Sequence, residues 1–271
     1  MLSVSQEYSL SKLVPLTQEP INDSPGVSEG SIFNHSGWVR CFSTLGRVEE
    51  EMHLNRDRVF ASEIEKVQGV FDRFVDSMIM FGFDVNKPLQ GHSSFPLHRA
   101  AYSGHVTILS SLIRRGGDVN ACTPTTPLIE AARGDQVAAG RLLIRHGADV
   151  NKFSALFSKN DESLPLHYAI SPEMCALLIE NGCSVNARSK SVFHETALNW
   201  AAHCQRADTV HYLLTAGAID SAPPGEDTAL TVARKVDSGI YSRMMDDGKP
   251  KLPWVSRFVI NLLEAHARSI P

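Results

Sequence analysis

The middle of the chain repeats a short phrase, and this repeat constrains the fold more than any other feature. Four copies read SLIRRGGDVNA, LLIRHGADVNK, LLIENGCSVNA and YLLTAGAIDSA, and a weaker copy, MIMFGFDVNK, precedes them. The aligned Asn or Asp residues recur at intervals of 34, 31, 35 and 34 residues: Asn86, Asn120, Asn151, Asn186 and Asp220. Such a period indicates units that cannot bury an apolar face alone, so that stacking of neighbouring units supplies the core.

A second phrase recurs upstream of the first. Its copies read FPLHRAA, TPLIEAA, LPLHYAI, TALNWAA and TALTVAR. In three repeats the first residue of this phrase lies 21 residues before a glycine of the first phrase, as from Phe95 to Gly116. Two phrases at a constant separation are a strong repeat signal.

Together these phrases resemble the ankyrin repeat. The pattern of that family is T-P-L-H-x-A-A, a G-H turn, an amphipathic helix that ends in L-L, and then G-A-D-V-N. The resemblance covers roughly residues 82–233. It implies an all-α fold, an ankyrin-repeat solenoid of stacked helix-turn-helix repeats with projecting turns and divergent capping helices at both ends.

The residue types at the ends of the predicted helices agree with this resemblance. Threonine hydroxyls at helix starts can accept a bond from an orphan backbone N–H, and Thr126, Thr196 and Thr228 stand at such positions. Glycines just past the second helix provide the left-handed conformation that commonly ends a helix. They are Gly116, Gly147, Gly182 and Gly217.

The repeat boundaries divide the chain into four predicted segments. They are a flexible N-terminal tail (1–52), divergent N-terminal capping helices (53–91), four ankyrin repeats (92–220) and a C-terminal capping repeat with an insertion (221–271). The tail is rich in Ser and also contains Pro, Gly, Asn and Asp, and this composition favours disorder. In the last segment, apolar residues at helical spacing follow Trp254 and include Phe258.

The third repeat departs from the pattern twice. Its finger, residues 152–163, is longer than the matching turns and carries Phe153 and Phe157. Loops that project from a rigid scaffold often carry binding, although these aromatic residues could instead fold back onto neighbouring repeats. The first helix lacks the residues that match Y-S-G-H, so Pro172 is expected to begin the second helix directly.

Histidine chemistry is the first candidate for catalysis, but the repeat assigns most of these residues to structure. His98 and His167 occupy the T-P-L-H position, and His105 occupies the G-H turn. The resemblance implies that all three are structural. The zinc-protease pattern H-E-x-x-H is absent, and no phosphate-binding or nucleophile-elbow motif occurs. We therefore expect no catalytic, cofactor-binding or metal-binding residues.

Binding is the better prediction, because repeat arrays offer an extended surface. Residues after the histidine position, and those three or four later, share a face of the first helix. They are Arg99, Tyr102, Ser103, Glu130, Arg133, Tyr168, Trp200, His203 and Lys235. Tyr, Trp and Arg are enriched in binding hot spots. The alternative is that Tyr168 and Trp200 pack between repeats.

Composition narrows the class of partner. The net charge of −4 and pI near 6.3 lack the basic excess of a nucleic-acid binder, and no apolar run is long enough for a bilayer. The N-terminus lacks a signal-peptide pattern. Five cysteines, without C-x-x-C spacing, predict neither a disulfide framework nor a zinc site. We expect a protein partner, no nucleic acid, no membrane, and an intracellular location in the cytoplasm, the nucleus or both.

The expected function is therefore a non-catalytic ankyrin-repeat scaffold, an adaptor, regulator or substrate receptor that binds protein through its concave face and fingers. Two alternatives remain open at this point. One is an enzyme or small-molecule-binding protein with a pocket near the third repeat. The other is a microbial effector that acts on host proteins. The resemblance also makes Asn120 and Asn151 candidate hydroxylation sites.

Overall fold

The computed structural model of the chain describes residues 68–69, 71–73, 75–76, 79–80, 83–88, 95–155, 162–190, 195–222, 225–238 and 253–269. The predicted tail, most of the N-terminal cap, Phe157 and the C-terminal insertion lie outside these residues. Backbone contacts divide the chain into two units. One is Met1–Ala100 with Thr107–Gly117, and the other is Ala101–Val106 with Asp118–Pro271.

The described residues are mostly helical, which confirms the predicted all-α class. The elements are α1 (Pro96–Ser103), α2 (Val106–Arg114), α3 (Pro127–Arg133), α4 (Val137–Arg145), β1 (Ser154–Ala155), β2 (Glu162–Ser163), α5 (Pro165–Tyr168), α6 (Pro172–Glu180), α7 (Ala197–His203), α8 (Ala207–Thr215), α9 (Ala229–Asp237) and α10 (Pro253–Ser269). The antiparallel pair β1–β2 belongs to the long finger and was not part of the prediction.

In the second unit the helices form two layers. The first helices α3, α5, α7 and α9 pack side by side, and the second helices α4, α6, α8 and α10 pack behind them. Alanine pairs such as Ala131–Ala132 are fully buried in the first layer, where small side chains let neighbouring helices approach closely. Leucines such as Leu143 and Leu213 fill the second layer. Each helix pair therefore depends on its neighbours for its core.

Side-chain caps determine where the first helices begin. The Thr126 hydroxyl accepts a hydrogen bond from the Ile129 N–H at the start of α3, and Thr196 and Thr228 make the same bond for α7 and α9. Proline occupies the first helical position of α3, α5 and α6, where its missing N–H costs nothing. The second helices end before glycines with left-handed φ, of which Gly147 has φ 88°.

Asparagine side chains join successive fingers within each unit. The Asn120 Nδ2–H donates to the Gly147 carbonyl at 2.9 Å, and its Oδ1 accepts from the Asp149 N–H at 2.8 Å. The same amide-to-glycine bond recurs from Asn86, Asn151 and Asn186 to Gly116, Gly182 and Gly217. These bonds explain why an asparagine recurs once in each repeat, because each one reaches the glycine of the next repeat.

The last position of this series behaves differently. Asp220 accepts hydrogen bonds from the N–H groups of Ala229 at 2.6 Å and Leu230 at 3.2 Å, at the start of α9. Its carboxylate therefore caps the N-terminus of α9, where backbone donors and the helix dipole favour negative charge. Burial raises the pKa of the Asp220 carboxyl above its ordinary value.

His167 joins the third repeat to the fourth through a fixed tautomer. Its Nδ1 accepts from the Leu164 N–H at 3.1 Å, so Nε2 carries the proton and faces the Glu195 carbonyl at 3.1 Å. The ring is almost fully buried, and this burial lowers the pKa of His167 to about 4. At the matching position of the next repeat, the Asn199 amide donates to the Asp227 carbonyl at 2.8 Å. His167 and Asn199 thus make the same kind of bond, from a side chain of one repeat to a backbone carbonyl of the next.

In the first unit, charged groups hold the N-terminal helical residues against α2. Asp72 accepts from Arg114 Nη2 at 2.7 Å and from Arg115 Nη1 at 2.9 Å, and Arg115 also binds Asp76 at 2.6 Å. The Ser111 hydroxyl donates to the same Asp72 carboxylate at 2.8 Å. The fully buried Phe71 side chain adds apolar packing.

At the C-terminus, α10 packs on α8 and α9 through buried Val259 and Leu263. Phe258 was placed among the apolar residues of this helix, and it is 51% exposed. The Arg234 guanidinium of α9 donates to Glu264 of α10 at 2.8 Å. No described helix is both long enough and apolar enough to cross a bilayer.

Replacement of His167 by Asn is expected to flatten the pH dependence of the free energy of unfolding. Folding lowers the pKa of His167 from 6.5 to about 4, so only the unfolded chain takes up a proton as the pH falls between these values. The stability that His167 contributes is complete above pH 6.5 and is lost toward pH 4, by about 3 kcal/mol in all.

Urea unfolding of both proteins across this pH window measures the difference, since the other histidines are common to both. Asparagine can keep the bond to Glu195, as Asn199 keeps its bond to Asp227, while removing the titrating ring. Parallel pH profiles for the two proteins would contradict the expectation.

Candidate functional site

Most of the residues that were predicted to bind lie in the second unit. We call them the first-helix surface: Tyr102, Ser103, Glu130, Arg133, Tyr168, Trp200, His203 and Lys235. Arg99 is exposed but belongs to the first unit. His98 is buried in that unit, with its ring 5.4 Å from the ring of Phe95. His105 is half-buried.

One end of the first-helix surface is a chain of four side chains. Tyr102 is 48% exposed, and the Arg133 guanidinium lies 5.7 Å from the centre of its ring. Arg133 Nη1 donates to both carboxylate oxygens of Glu130, at 3.1 and 2.9 Å. Glu130 Oε1 also accepts from the buried Thr125 hydroxyl at 2.7 Å. The buried threonine thus positions an exposed tyrosine through an ion pair and a cation–π contact.

The backbone explains why Tyr102 and Arg133 meet. Arg133 is the last residue of α3, three residues after Glu130, which places both side chains on one face of the helix. Gly134 follows with an ordinary φ of −83°. A Cβ on Gly134 would overlap the Tyr102 carbonyl oxygen, so the two backbones approach more closely here than any other residue would allow. Glycine is therefore required here because there is no room for a side chain, and not because the backbone adopts a left-handed φ.

The middle of the first-helix surface is aromatic. The Tyr168 and Trp200 ring centres lie 5.8 Å apart with planes tilted by 50°, and the His203 ring meets Trp200 edge-on at 6.4 Å. Tyr168 is buried, as expected if it packs between repeats. Trp200 is half-buried, and its indole N–H has no hydrogen-bond acceptor among the described residues. Tyr168 thus supports the shape of the surface more than it offers area to a partner.

The other end of the surface is an ion pair. Lys235 Nζ binds both carboxylate oxygens of Asp227, at 2.7 and 2.6 Å. The Asp227 backbone carbonyl accepts the Asn199 bond described above, so this pair stands at a junction between repeats. Because each charge has a partner, the surface has no net excess of either sign at Glu130–Arg133 or at Asp227–Lys235.

The described part of the long finger includes Phe153. The Phe153 side chain is half-buried, and the Lys190 ammonium group lies 4.2 Å from the centre of its ring. Lys190 Nζ also binds Glu162 of β2 at 3.1 Å. Phe153 therefore packs against the next finger, as the fold-back alternative describes. Phe157 lies outside the described residues.

The first helix of the third repeat is shorter than its neighbours. Helix α5 has four residues, whereas α3 and α7 have seven each. The chain then passes directly to α6, which begins at Pro172 as predicted. Neighbouring repeats hold this connection, since Ser171 Oγ donates to Asp135 at 2.6 Å and Arg206 donates to the Ala169 carbonyl at 3.0 Å. The position next to Arg133 in the third repeat therefore lacks a helical side chain.

Two buried cysteines, Cys175 and Cys183, have thiols that are unreactive at neutral pH. Among the described residues, no group of three or more His, Cys, Asp and Glu residues could hold a metal ion. Burial raises the pKa of the Cys175 thiol to about 12 and that of Cys183 to about 11, which keeps both thiols protonated. Thiolates are the reactive form of cysteine, so neither residue is a nucleophile.

Several supporting residues escaped the sequence analysis. Thr125, Asp227 and Lys190 hold Glu130, Lys235 and Phe153 in place. Thr125 precedes the T-P-L phrase, and Asp227 precedes the capping Thr228. That shared location, one residue before each cap, is the signal that could have found them. Nothing in the sequence pairs Lys190 with Phe153, which lies in another finger.

Helix pairs joined by recurring side-chain bonds, with varied residues on one surface, define a repeat protein of the kind that acts by binding. A family model described as ankyrin repeats, in three copies, matches residues 68–154, 97–189 and 153–222. These matches cover more than half of the chain, which therefore belongs to the ankyrin-repeat family.

Similar proteins share the repeats over part of their length. The chain is 36% identical over 98 residues to Ankyrin repeat and KH domain-containing protein 1 of Homo sapiens, a match covering 34% of this chain and 4% of that protein. It is 30% identical over 161 residues to Putative palmitoyltransferase ZDHHC13 of Danio rerio, covering 56% and 24%. Identity to Ankyrin repeat and KH domain-containing protein mask-1 of Caenorhabditis elegans is 28% over 205 residues, covering 63% and 8%. The chain thus spans less than a quarter of each relative.

Replacement of Gly134 by Ala is expected to destabilise the fold by roughly 3 kcal/mol, because a Cβ there meets backbone that cannot move without separating Tyr102 from Arg133. The matched control is Gly147→Ala, where φ is 88° but a Cβ meets nothing within 4 Å. That change should cost about 1–2 kcal/mol from the left-handed conformation alone. Urea unfolding measures the loss of unfolding free energy in each variant. A smaller loss for Gly134→Ala than for Gly147→Ala would contradict the close approach.

Proposed function

We propose that the chain is an intracellular, non-catalytic adaptor, regulator or substrate receptor that recognises a partner protein through its first-helix surface and fingers. Ankyrin repeats are protein–protein interaction modules, and the family is generally non-catalytic. The observation that supports this surface most strongly is Tyr102, a large exposed side chain held in one place by Arg133 and Glu130. Binding energy is best obtained from groups that are already ordered before the partner arrives.

The composition of the surface supports a protein partner over a nucleic acid. Tyr, Trp and Arg are the residue types that dominate protein interfaces. The cations of the surface, Arg133 and Lys235, each have a carboxylate partner within 3 Å. Phosphate backbones are bound by cations in excess, whereas this chain has a net charge of −4.

The test compares two variants of the full chain. One carries Tyr102→Ala and Arg133→Ala on the first-helix surface, and the other carries Arg141→Ala and Arg145→Ala on the exposed side of α4. Each purified protein is used to capture proteins from native lysate, with quantification by mass spectrometry. We expect the first variant to lose at least one protein that wild type and the second variant both retain.

Melting temperatures of the two variants serve as the folding control. Arg133→Ala removes the charge partner of Glu130, which keeps the hydrogen bond from Thr125. We therefore expect this variant to lose about 1 kcal/mol of stability but to remain folded, and the exposed changes in α4 to cost about 0.5 kcal/mol or less. Equal capture by all three proteins would overturn the assignment of the first-helix surface. Loss of the same proteins from both variants would place recognition elsewhere.

A further inference from the structure

We infer that Arg133 receives a carboxylate group of the partner protein, an Asp or Glu side chain in a peptide segment. This inference rests on the proposed function and names the chemistry of its central contact. The Glu130 carboxylate occupies Nη1 of Arg133 alone. Within the part of the chain that the structure describes, Nε and Nη2 have no acceptor at hydrogen-bond distance. These two nitrogens form the edge that binds a carboxylate with two parallel hydrogen bonds.

The guanidinium group is held in position before any partner binds. Glu130 fixes one edge, the Tyr102 ring covers one face, and Thr125 holds Glu130 from below. A free arginine side chain loses considerable rotamer freedom when it is ordered, and a pre-ordered one loses much less on binding. The arrangement therefore favours a specific contact over general charge attraction.

The short third repeat leaves room for a ligand group beside Arg133. In α3 the residue after the two alanines is Arg133, and in α7 it is His203. Helix α5 ends three positions earlier, at Tyr168, and the chain turns toward α6. Its connecting residue Ser171 donates a hydrogen bond to Asp135. A partner side chain can therefore approach Arg133 where a regular repeat would place its own.

The charge of the cluster favours a carboxylate over a phosphate. The Glu130 carboxylate lies 2.9 Å from Arg133 Nη1 and neutralises its charge. A phosphate group carries close to two negative charges at neutral pH, and Glu130 would repel it across the shared guanidinium. A carboxylate carries one charge, so Glu130 repels it less, and it can still accept both hydrogen bonds of the free edge.

The experiment selects ligands from a displayed library of random short peptides with the full-length protein as bait. A selected peptide is then synthesised in three forms: with its acidic residue, with that residue as the matching amide, and with phosphoserine in its place. Fluorescence anisotropy measures the dissociation constant of each form for wild type, Tyr102→Ala, Arg133→Gln, Arg133→Lys and Arg145→Gln. Arg145 is an exposed arginine of α4 and serves as the matched control.

We expect selected peptides to share an acidic residue whose change to the amide weakens binding to wild type roughly tenfold to a hundredfold, the range for hydrogen bonds between charged groups. The Arg133→Gln variant should bind the acidic and amide forms equally. Lysine keeps the charge but not the two-pronged edge, so Arg133→Lys should recover only part of the preference. Arg145→Gln should match wild type.

Each contrary result has a distinct meaning. Peptides that lose affinity with Tyr102→Ala but need no acidic residue would overturn the carboxylate inference and leave the proposed function intact. Tighter binding of the phosphoserine form would replace the carboxylate with a phosphorylated partner. Peptides insensitive to every first-helix variant, or no selected peptide at all, would count against both the inference and the proposed function.

Discussion

The structure depends on a hydrogen bond that each repeat makes to the next. A single pair of short helices cannot bury enough apolar surface to be stable, so a correct register between neighbours is a condition for folding. In the second unit the first helices are joined through the carbonyl that precedes each capping threonine, reached by His167 in one repeat and Asn199 in the next. The fingers are joined by asparagine amides that reach the following glycine. These directional bonds specify which face meets which, a choice that apolar contacts alone leave open.

The same principle organises the first-helix surface. The exposed Tyr102 and the half-buried Arg133 are held in place by Glu130 and Thr125, which lie next to the start of a helix. At the other end, Asp227 uses its carbonyl to join repeats and its carboxylate to hold Lys235. The surface residues that vary between repeats are thus held in place by residues that also join neighbouring repeats. A change in the supporting layer, at Thr125 or Gly134, alters the surface without touching it.

Local rules were enough to predict the helices, because period and cap chemistry act within a few residues. The threonine caps, the start of α6 at Pro172 and the all-α class follow from such signals. Side-chain partners were harder, since they lie about one repeat away in sequence. Asn199 stands at the histidine position of the fourth repeat, and only the structure shows that it makes the equivalent bond. Periodicity placed Phe258 with the apolar residues of its helix, but only the structure shows that this face meets solvent.

Tyr168 and Phe153 show the same limit at the candidate site. Both were assigned to binding by residue type and position, and both pack against a neighbouring repeat. The sequence reports that a side chain is aromatic and on a given face. It does not report whether the adjacent repeat supplies a group, such as the Lys190 ammonium, that covers it. Exposure depends on two repeats at once.

The missing turn of α5 has a mechanical consequence. At that level of the first-helix layer, Ser171 and Arg206 join the neighbours by polar bonds to Asp135 and Ala169, where helical side chains would otherwise interlock. Interlocked apolar side chains keep contact while they slide, whereas hydrogen bonds weaken steeply once length or angle departs from the optimum. We therefore expect tension applied along this unit to break contacts at the third repeat first. The third repeat would then be the weakest point of the unit under load, and it lies next to Arg133, through which we propose that the protein binds its partner.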